Sequence, residues 1–272
     1  MADWNDPRRT GMGVGATPGY DGQLGERTIL DEGLRKHMLS IYNYMASGVL
    51  LSGIVALLFV NSSLFESAYT VVRTPNGIFA QPNILGWIIM LSPLAFVLFM
   101  SFGRNKFSAG ALQAMFWGFA TAMGLSLSTI FITYTGSSIA MTFFATAGAF
   151  AGLSLWGYTT KKDISGWGSF LIMGVVGLII ASLLNAFLIG SPGLELAISA
   201  LGVLIFAGLT AYDTQRLKSE YIAVQHASMT NPAIAAQYPL QKMVILGALN
   251  LYLDFINMFL FLLRFLGVAR GE

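Results

Sequence analysis

The chain has 272 residues, of which 55% are hydrophobic and only 10% charged. Soluble domains carry about 25% charged residues, so the composition excludes an ordinary soluble domain and identifies an integral membrane protein. The net charge of +2 decides little, but the absence of cysteine excludes disulfides, thiolate metal sites and a thiol nucleophile.

Residues 1–30 read as a flexible cytoplasmic tail. The segment has no apolar core and mixes acids with bases, so it is not a signal peptide. Its "GMGVGATPG" stretch lacks the Gly-Lys-Ser/Thr ending of a phosphate loop and follows no strand pattern. Beyond it the charges fall into clusters. No Asp, Glu, Lys or Arg occurs between Lys36 and Glu66, between Arg73 and Arg104, or between Asp163 and Glu195. The interval from Lys106 to Lys161 holds 54 residues without a charge. A helical span needs about 20 apolar residues, so this interval contains two spans, joined by a turn at "YTGSS" (Tyr134 to Ser138). The chain is thus all-α with seven spans, at about 39–60, 84–102, 109–133, 139–159, 168–190, 194–214 and 241–265.

With the N-terminus inside, twelve of the fifteen Lys and Arg fall on the inner side; Arg73, Arg264 and Arg270 are the three outside. That bias follows the positive-inside rule of bacterial-type membranes and predicts an N-in, C-out protein of the inner membrane. A last segment that entered and returned would instead leave the C-terminus inside. Trp87, Trp156 and Trp167 sit where interfacial aromatics belong. Ser92-Pro93 predicts a kink in the second span, and Gly148-x-x-x-Gly152 fits close helix packing. Segment 217–240 is too polar to span and reads as an interfacial cytoplasmic loop with room for a short amphipathic helix. His37 and His226 have no ligand partner at helical spacing, so no zinc or haem site is expected.

Two acids remain inside apolar segments: Asp213 in "TAYDTQ" and Asp254 in "LYLDFINMFLFLLR". At 3.6 residues per turn, Gly247, Asn250, Asp254 and Asn257 line up in one polar stripe, with Arg264 near its outer end. Lipid rejects such a face, which predicts that the last helix lies against other helices or a water-filled cavity. Asp213 lies about 30 Å of helix rise from Gly193, near the inner end of span six. Its plain reading is a surface acid beside Arg216 and Lys218; the plain reading of Asp254 is a structural hydrogen-bonding group. If the two meet, both cannot ionise cheaply in a poorly solvated site, and they titrate as a unit. Such a pair suits three tasks: holding a hard cation such as Ca2+, sensing protons, or activating water as an aspartyl dyad.

"AYDTQRLK" (Ala211 to Lys218) and "LYLDFINMFLFLLRFLG" (Leu251 to Gly267) resemble the two most characteristic segments of the Bax inhibitor family, the transmembrane Bax inhibitor motif proteins. The resemblance covers about residues 30 to 268, with a domain at 31–268 and a short tail at 269–272. It implies a central seventh helix wrapped by two groups of three. It also implies a pH-sensitive calcium leak governed by an aspartate in each motif, here Asp213 and Asp254. In related bacterial proteins an arginine at the inner end of the second helix can pair with the first aspartate, and Arg104 in "FMSFGRNKFS" occupies the matching place. Two departures stand out. Some relatives carry an acid within helix two, where this chain has Ser92-Pro93, and the segment between the two motifs is longer here than in compact bacterial relatives.

The expected function is therefore a non-enzymatic cation leak with no bound cofactor beyond transported Ca2+, which Asp213 and Asp254 would contact. The alternative is a non-catalytic membrane regulator of a protease or quality-control partner, bound through the tail and segment 217–240. An intramembrane aspartyl protease fits poorly. The presenilin type has Gly-x-Gly-Asp at its second acid and a Pro-Ala-Leu element after it, whereas this chain has Leu-Tyr-Leu-Asp with 18 residues remaining. Rhomboid-like serine chemistry lacks its motif. Expected partners are the bilayer, Ca2+ and protons, with no nucleic acid.

Overall fold

A computed structural model describes residues 20–74, 77–231, 233–234 and 239–270. The elements run α1 (Tyr20–Val60), α2 (Ser63–Ala68), β1 (Tyr69–Thr74), β2 (Gly77–Pro82), α3 (Ile84–Gly103), α4 (Ala109–Leu127), α5 (Ile130–Thr133), α6 (Gly136–Thr159), α7 (Trp167–Leu184) with a π-helical end at Asn185–Ile189, α8 (Pro192–Thr230) and α9 (Leu240–Leu266). Seven of these helices are long and apolar enough to cross a membrane. Each expected span is present as one of them.

Local sequence sets most helix starts. Asn83, Ser108, Thr135 and Ser191 each accept a hydrogen bond from a backbone N–H in the first turn of α3, α4, α6 and α8, as polar N-caps do. Pro192 stands just inside the start of α8, where its missing N–H has no intrahelical role. At the end of α7, Gly190 takes φ 63°, a left-handed conformation that a Cβ disfavours.

Connections alternate between two ends of the bundle. At one end, Thr135 N–H donates to Val268 O and Arg270 N–H to Thr133 O, while α5 packs on β2. At the other, which is rich in Lys and Arg and is called inner here, Gln215 Nε2 donates to Lys162 O at 2.8 Å and Lys218 Nζ to Tyr158 O at 2.8 Å. Because the segment after α9 joins the 133–138 turn while its start lies by the inner loops, α9 traverses the whole bundle. It does not enter and return.

α9 packs against α1, α4, α6 and α8; α3 lies on α4, and α7 lies on α8. Its apolar window is 61% buried, against 39% or less in every other span. A directed chain of hydroxyls fixes it further. Ser52 Oγ donates to Ala120 O at 2.6 Å and lies 2.6 Å from Tyr252 Oη; a carbonyl only accepts, so Tyr252 donates to Ser52. The chain ties α9 to α1 and α4. Around the perimeter, Leu58, Phe102, Phe144 and Phe187 face outward, as residues against lipid do.

Several expectations need correction. Segment 217–240 is not a loop with a short helix of its own, because α8 continues as one helix to Thr230. Its 39 residues rise about 58 Å, far beyond the ~30 Å hydrocarbon core. The helix continues because Leu217 and Tyr221, one turn apart, are buried while Ser219 and Glu220 are exposed. Similarly, helix α1 begins at Tyr20, within the expected flexible tail, while residues 1–19 lie outside those described. Gly148 and Gly152 are exposed, with no neighbour where a Cβ would stand. The close α6–α8 approach is instead at Gly157, where a Cβ would meet the backbone of Ala211. The outer segment 69–82 forms an antiparallel hairpin, an element that the span reading leaves out.

Candidate functional site: a buried carboxylate pair

The two acids come from different helices. On α8, Asp213, Arg216 and Glu220 follow one another at steps of three and four, so they share a face. Asp213 Oδ1 lies 3.3 Å from Arg216 Nη1, and Arg216 Nε donates to Glu220 Oε1 at 3.0 Å. Arg216 and Glu220 are each more than two-fifths exposed, so the run leads from the bundle interior to the inner solvent. On α9, Asp254 is 4% exposed, and Asp213 is 8% exposed. Both lie where α8 packs on α9, close enough for each carboxyl to act on the other. Asp254 Oδ2 is fully buried without a hydrogen-bond partner. A carboxyl left so in an apolar bundle costs free energy unless a proton or a cation completes it.

The polar stripe is present but tightly packed. At Gly247 a Cβ would lie 2.9 Å from Leu217 and 3.1 Å from Ile41, so these two apolar side chains close the stripe on the inner side of the pair. Asn250 is half-buried. Asn257 donates to Leu253 O of its own helix at 2.8 Å. Leu251 on the inner side of Asp254, and Phe255, Met258 and Phe259 on its outer side, are buried, so the faces away from the stripe also meet protein. Both acids are thus largely shut off from solvent in this conformation. Further out lies a cavity of about 210 Å³ lined by Thr129, Thr133, Tyr134 and Arg264. Burial there pushes the Tyr134 phenol up from its usual range, so it stays a neutral hydrogen-bonding group. At the inner surface, the Ser165 N–H holds the Asp163 carboxyl below the usual carboxylate range.

The pairing of Asp213 with Arg104 is not present. Arg104 is the exposed C-cap of α3, and among the described residues the cation on Asp213 is Arg216. Reading Asp213 as a plain surface acid is also overturned by its burial. A second set of groups escapes sequence reasoning: Thr214 donates to Thr210 O at 2.8 Å, Ser154 lies 2.8 Å from Thr214, and Tyr42 lies 2.7 Å from Ser154. Single hydroxyls inside apolar spans give no periodic signal, and only the fold aligns them. Among the described residues no three His, Cys, Asp or Glu side chains cluster as a metal site.

Seven apolar helices around a buried carboxylate pair define a polytopic helical membrane protein whose polar site lies inside the bundle. Comparison with known proteins supplies the family. Residues 34–271 match the family model described as inhibitor of apoptosis-promoting Bax1. The chain is 45% identical to an uncharacterised protein of Caulobacter vibrioides, over 89% of this chain and 92% of that one. It is 43% identical to the inner membrane protein YbhL of Escherichia coli strain K12, over 88% and 94%, and 41% identical to an uncharacterised protein of Rickettsia prowazekii, over 88% and 92%. The chain belongs to the Bax inhibitor family and is an integral protein of a bacterial inner membrane.

Proposed function

We propose that this protein is a pH-sensitive calcium leak, N-terminus inside, whose gate is the Asp213–Asp254 pair. One observation carries the reading: two acids from the two signature helices are both buried where α8 packs on α9, and one oxygen of Asp254 has no partner. Asp213 keeps its charge against Arg216, whereas Asp254 has no cation of its own, so the shared proton belongs on Asp254. In that state one hydrogen bond holds α8 to α9, and Leu217 and Ile41 block the way inward. Loss of the proton leaves two like charges in a medium that screens them poorly. Their repulsion separates the helices and presents two hard oxygens to a passing Ca2+, which prefers carboxylate ligands. Two carboxylates fall short of the six to eight oxygens of a tight calcium site, so they suit a transient contact with cargo. Arg216 serves the role that the family resemblance gives to Arg104, and Glu220 gives its guanidinium a second anchor as the pair parts.

Calcium entry into liposomes holding the purified protein tests the proposal. Flux is expected to rise from roughly pH 6 to roughly pH 8. Asp213→Asn and Asp254→Asn are expected to abolish that rise, and a pH response that survives both changes would overturn the reading. A second reading, a non-catalytic regulator of a membrane protease or quality-control partner, is favoured by the part of α8 that projects beyond the inner surface. A stoichiometric partner recovered from native membranes, together with no ion flux, would select it.

A further inference from the structure

Between α1 and α6, away from the carboxylate pair, runs a groove of about 450 Å³, within the size range of small-ligand sites. Met38, Leu39, Phe150, Ala151 and Leu155 make its walls. The polar side chains Tyr42 and Ser154 also line it, but their hydroxyls are already engaged. Thr214 donates to its own helix, so Ser154 donates to Thr214 and Tyr42 to Ser154. The groove therefore offers an apolar occupant a dry wall with no unmet donor. Along α1 it runs from Arg35 to Tyr42, about 10 Å of rise, and along α6 from Tyr158 to Phe150, about 12 Å. One leaflet of the hydrocarbon core is roughly 15 Å deep.

Its inner end is cationic. Arg35 is exposed at the mouth. Lys218 lies 5.2 Å from the centre of the Tyr158 ring at the same end. An apolar slot that reaches most of the way through one leaflet and ends in basic side chains at the inner surface matches an acyl chain below an anionic headgroup. We infer that the α1–α6 groove is a binding site for an inner-leaflet anionic phospholipid, its chain in the groove and its phosphate on Arg35.

The test needs no ion flux. The full-length protein is reconstituted in vesicles of equal phosphatidylglycerol and phosphatidylcholine, extracted in mild detergent, and the retained lipid identified by native mass spectrometry. Wild type is expected to hold one phosphatidylglycerol in preference to phosphatidylcholine. Arg35→Ala is expected to lower that preference about fivefold, the effect of one basic side chain near the headgroup. Ala151→Trp, which fills the groove from an exposed position, is expected to remove both lipids; Leu155→Trp is the second filling variant, and elution volume reports folding of each. The assignment is overturned if wild type retains no lipid, if Arg35→Ala leaves the preference unchanged, or if the folded filling variants retain lipid as wild type does.

Discussion

Burying an ionised carboxylate among Leu251, Phe255 and Met258 costs several kcal/mol, and an asparagine amide costs far less. The amide introduced by Asp254→Asn would still donate to Asp213, as the protonated acid does, so stability alone gives no reason for an acid there. This separates a gate from a structural hydrogen-bonding group. Asp254→Asn is expected to leave the unfolding temperature in detergent equal to wild type or higher, while the pH response of flux is lost. A fall of several degrees would make Asp254 a structural residue. Much at this scale is readable from the sequence. Asp213 and Asp254 stand out because an intramembrane acid is rare, and the alignment of Gly247, Asn250 and Asn257 follows from helical spacing. Arg216 stands beside Asp213 in the plain surface reading, but matching a motif gives the counter-ion role to Arg104, whereas the step from Asp213 to Arg216 on one helix is the stronger signal.

Spans are legible because charge is confined to the gaps between them, and their polar caps fix several starts within a few residues. What hydropathy hides is a helix that leaves the membrane. Residues 215–230 are polar enough to fail as a span, yet Leu217 and Tyr221 are buried on one face, with Tyr221 against Gly33 and His37 of α1, and Arg216 pairs with Glu220 along the other. The hairpin is legible too: Val71 and Val72 precede Thr-Pro-Asn-Gly, a run of turn-forming residues. Helix packing is the least legible, since a Gly-x-x-x-Gly pair does not say which way it faces. Gly148 and Gly152 face outward, and Gly157 carries the contact, its missing Cβ letting α6 approach the backbone of Ala211, two residues from Asp213. Gly157→Ala is accordingly expected to destabilise the protein by about 1–3 kcal/mol, as overpacking does, measured by denaturant unfolding in detergent. Gly148→Ala should have almost no effect.

For the whole molecule, a gate at this depth requires that the basic end faces the cytoplasm and that α9 crosses completely. The native chain has no cysteine, so single substitutions report clean topology. In intact spheroplasts a membrane-impermeant thiol reagent is expected to label Ser137→Cys, in the turn that holds the C-terminal segment, and to spare Thr230→Cys at the end of α8. The reverse pattern would invert the molecule. The central claim is that one proton on the Asp213–Asp254 pair keeps the leak shut, and infrared difference spectroscopy on proteoliposomes tests it most directly. Between about pH 6 and about pH 8 the C=O stretch of a protonated carboxyl should vanish with the same midpoint as the rise in calcium flux. In Asp254→Asn both the band and the rise should be absent. Flux that rises while the band stays constant, or the same band loss in Asp254→Asn, would contradict a proton-held gate.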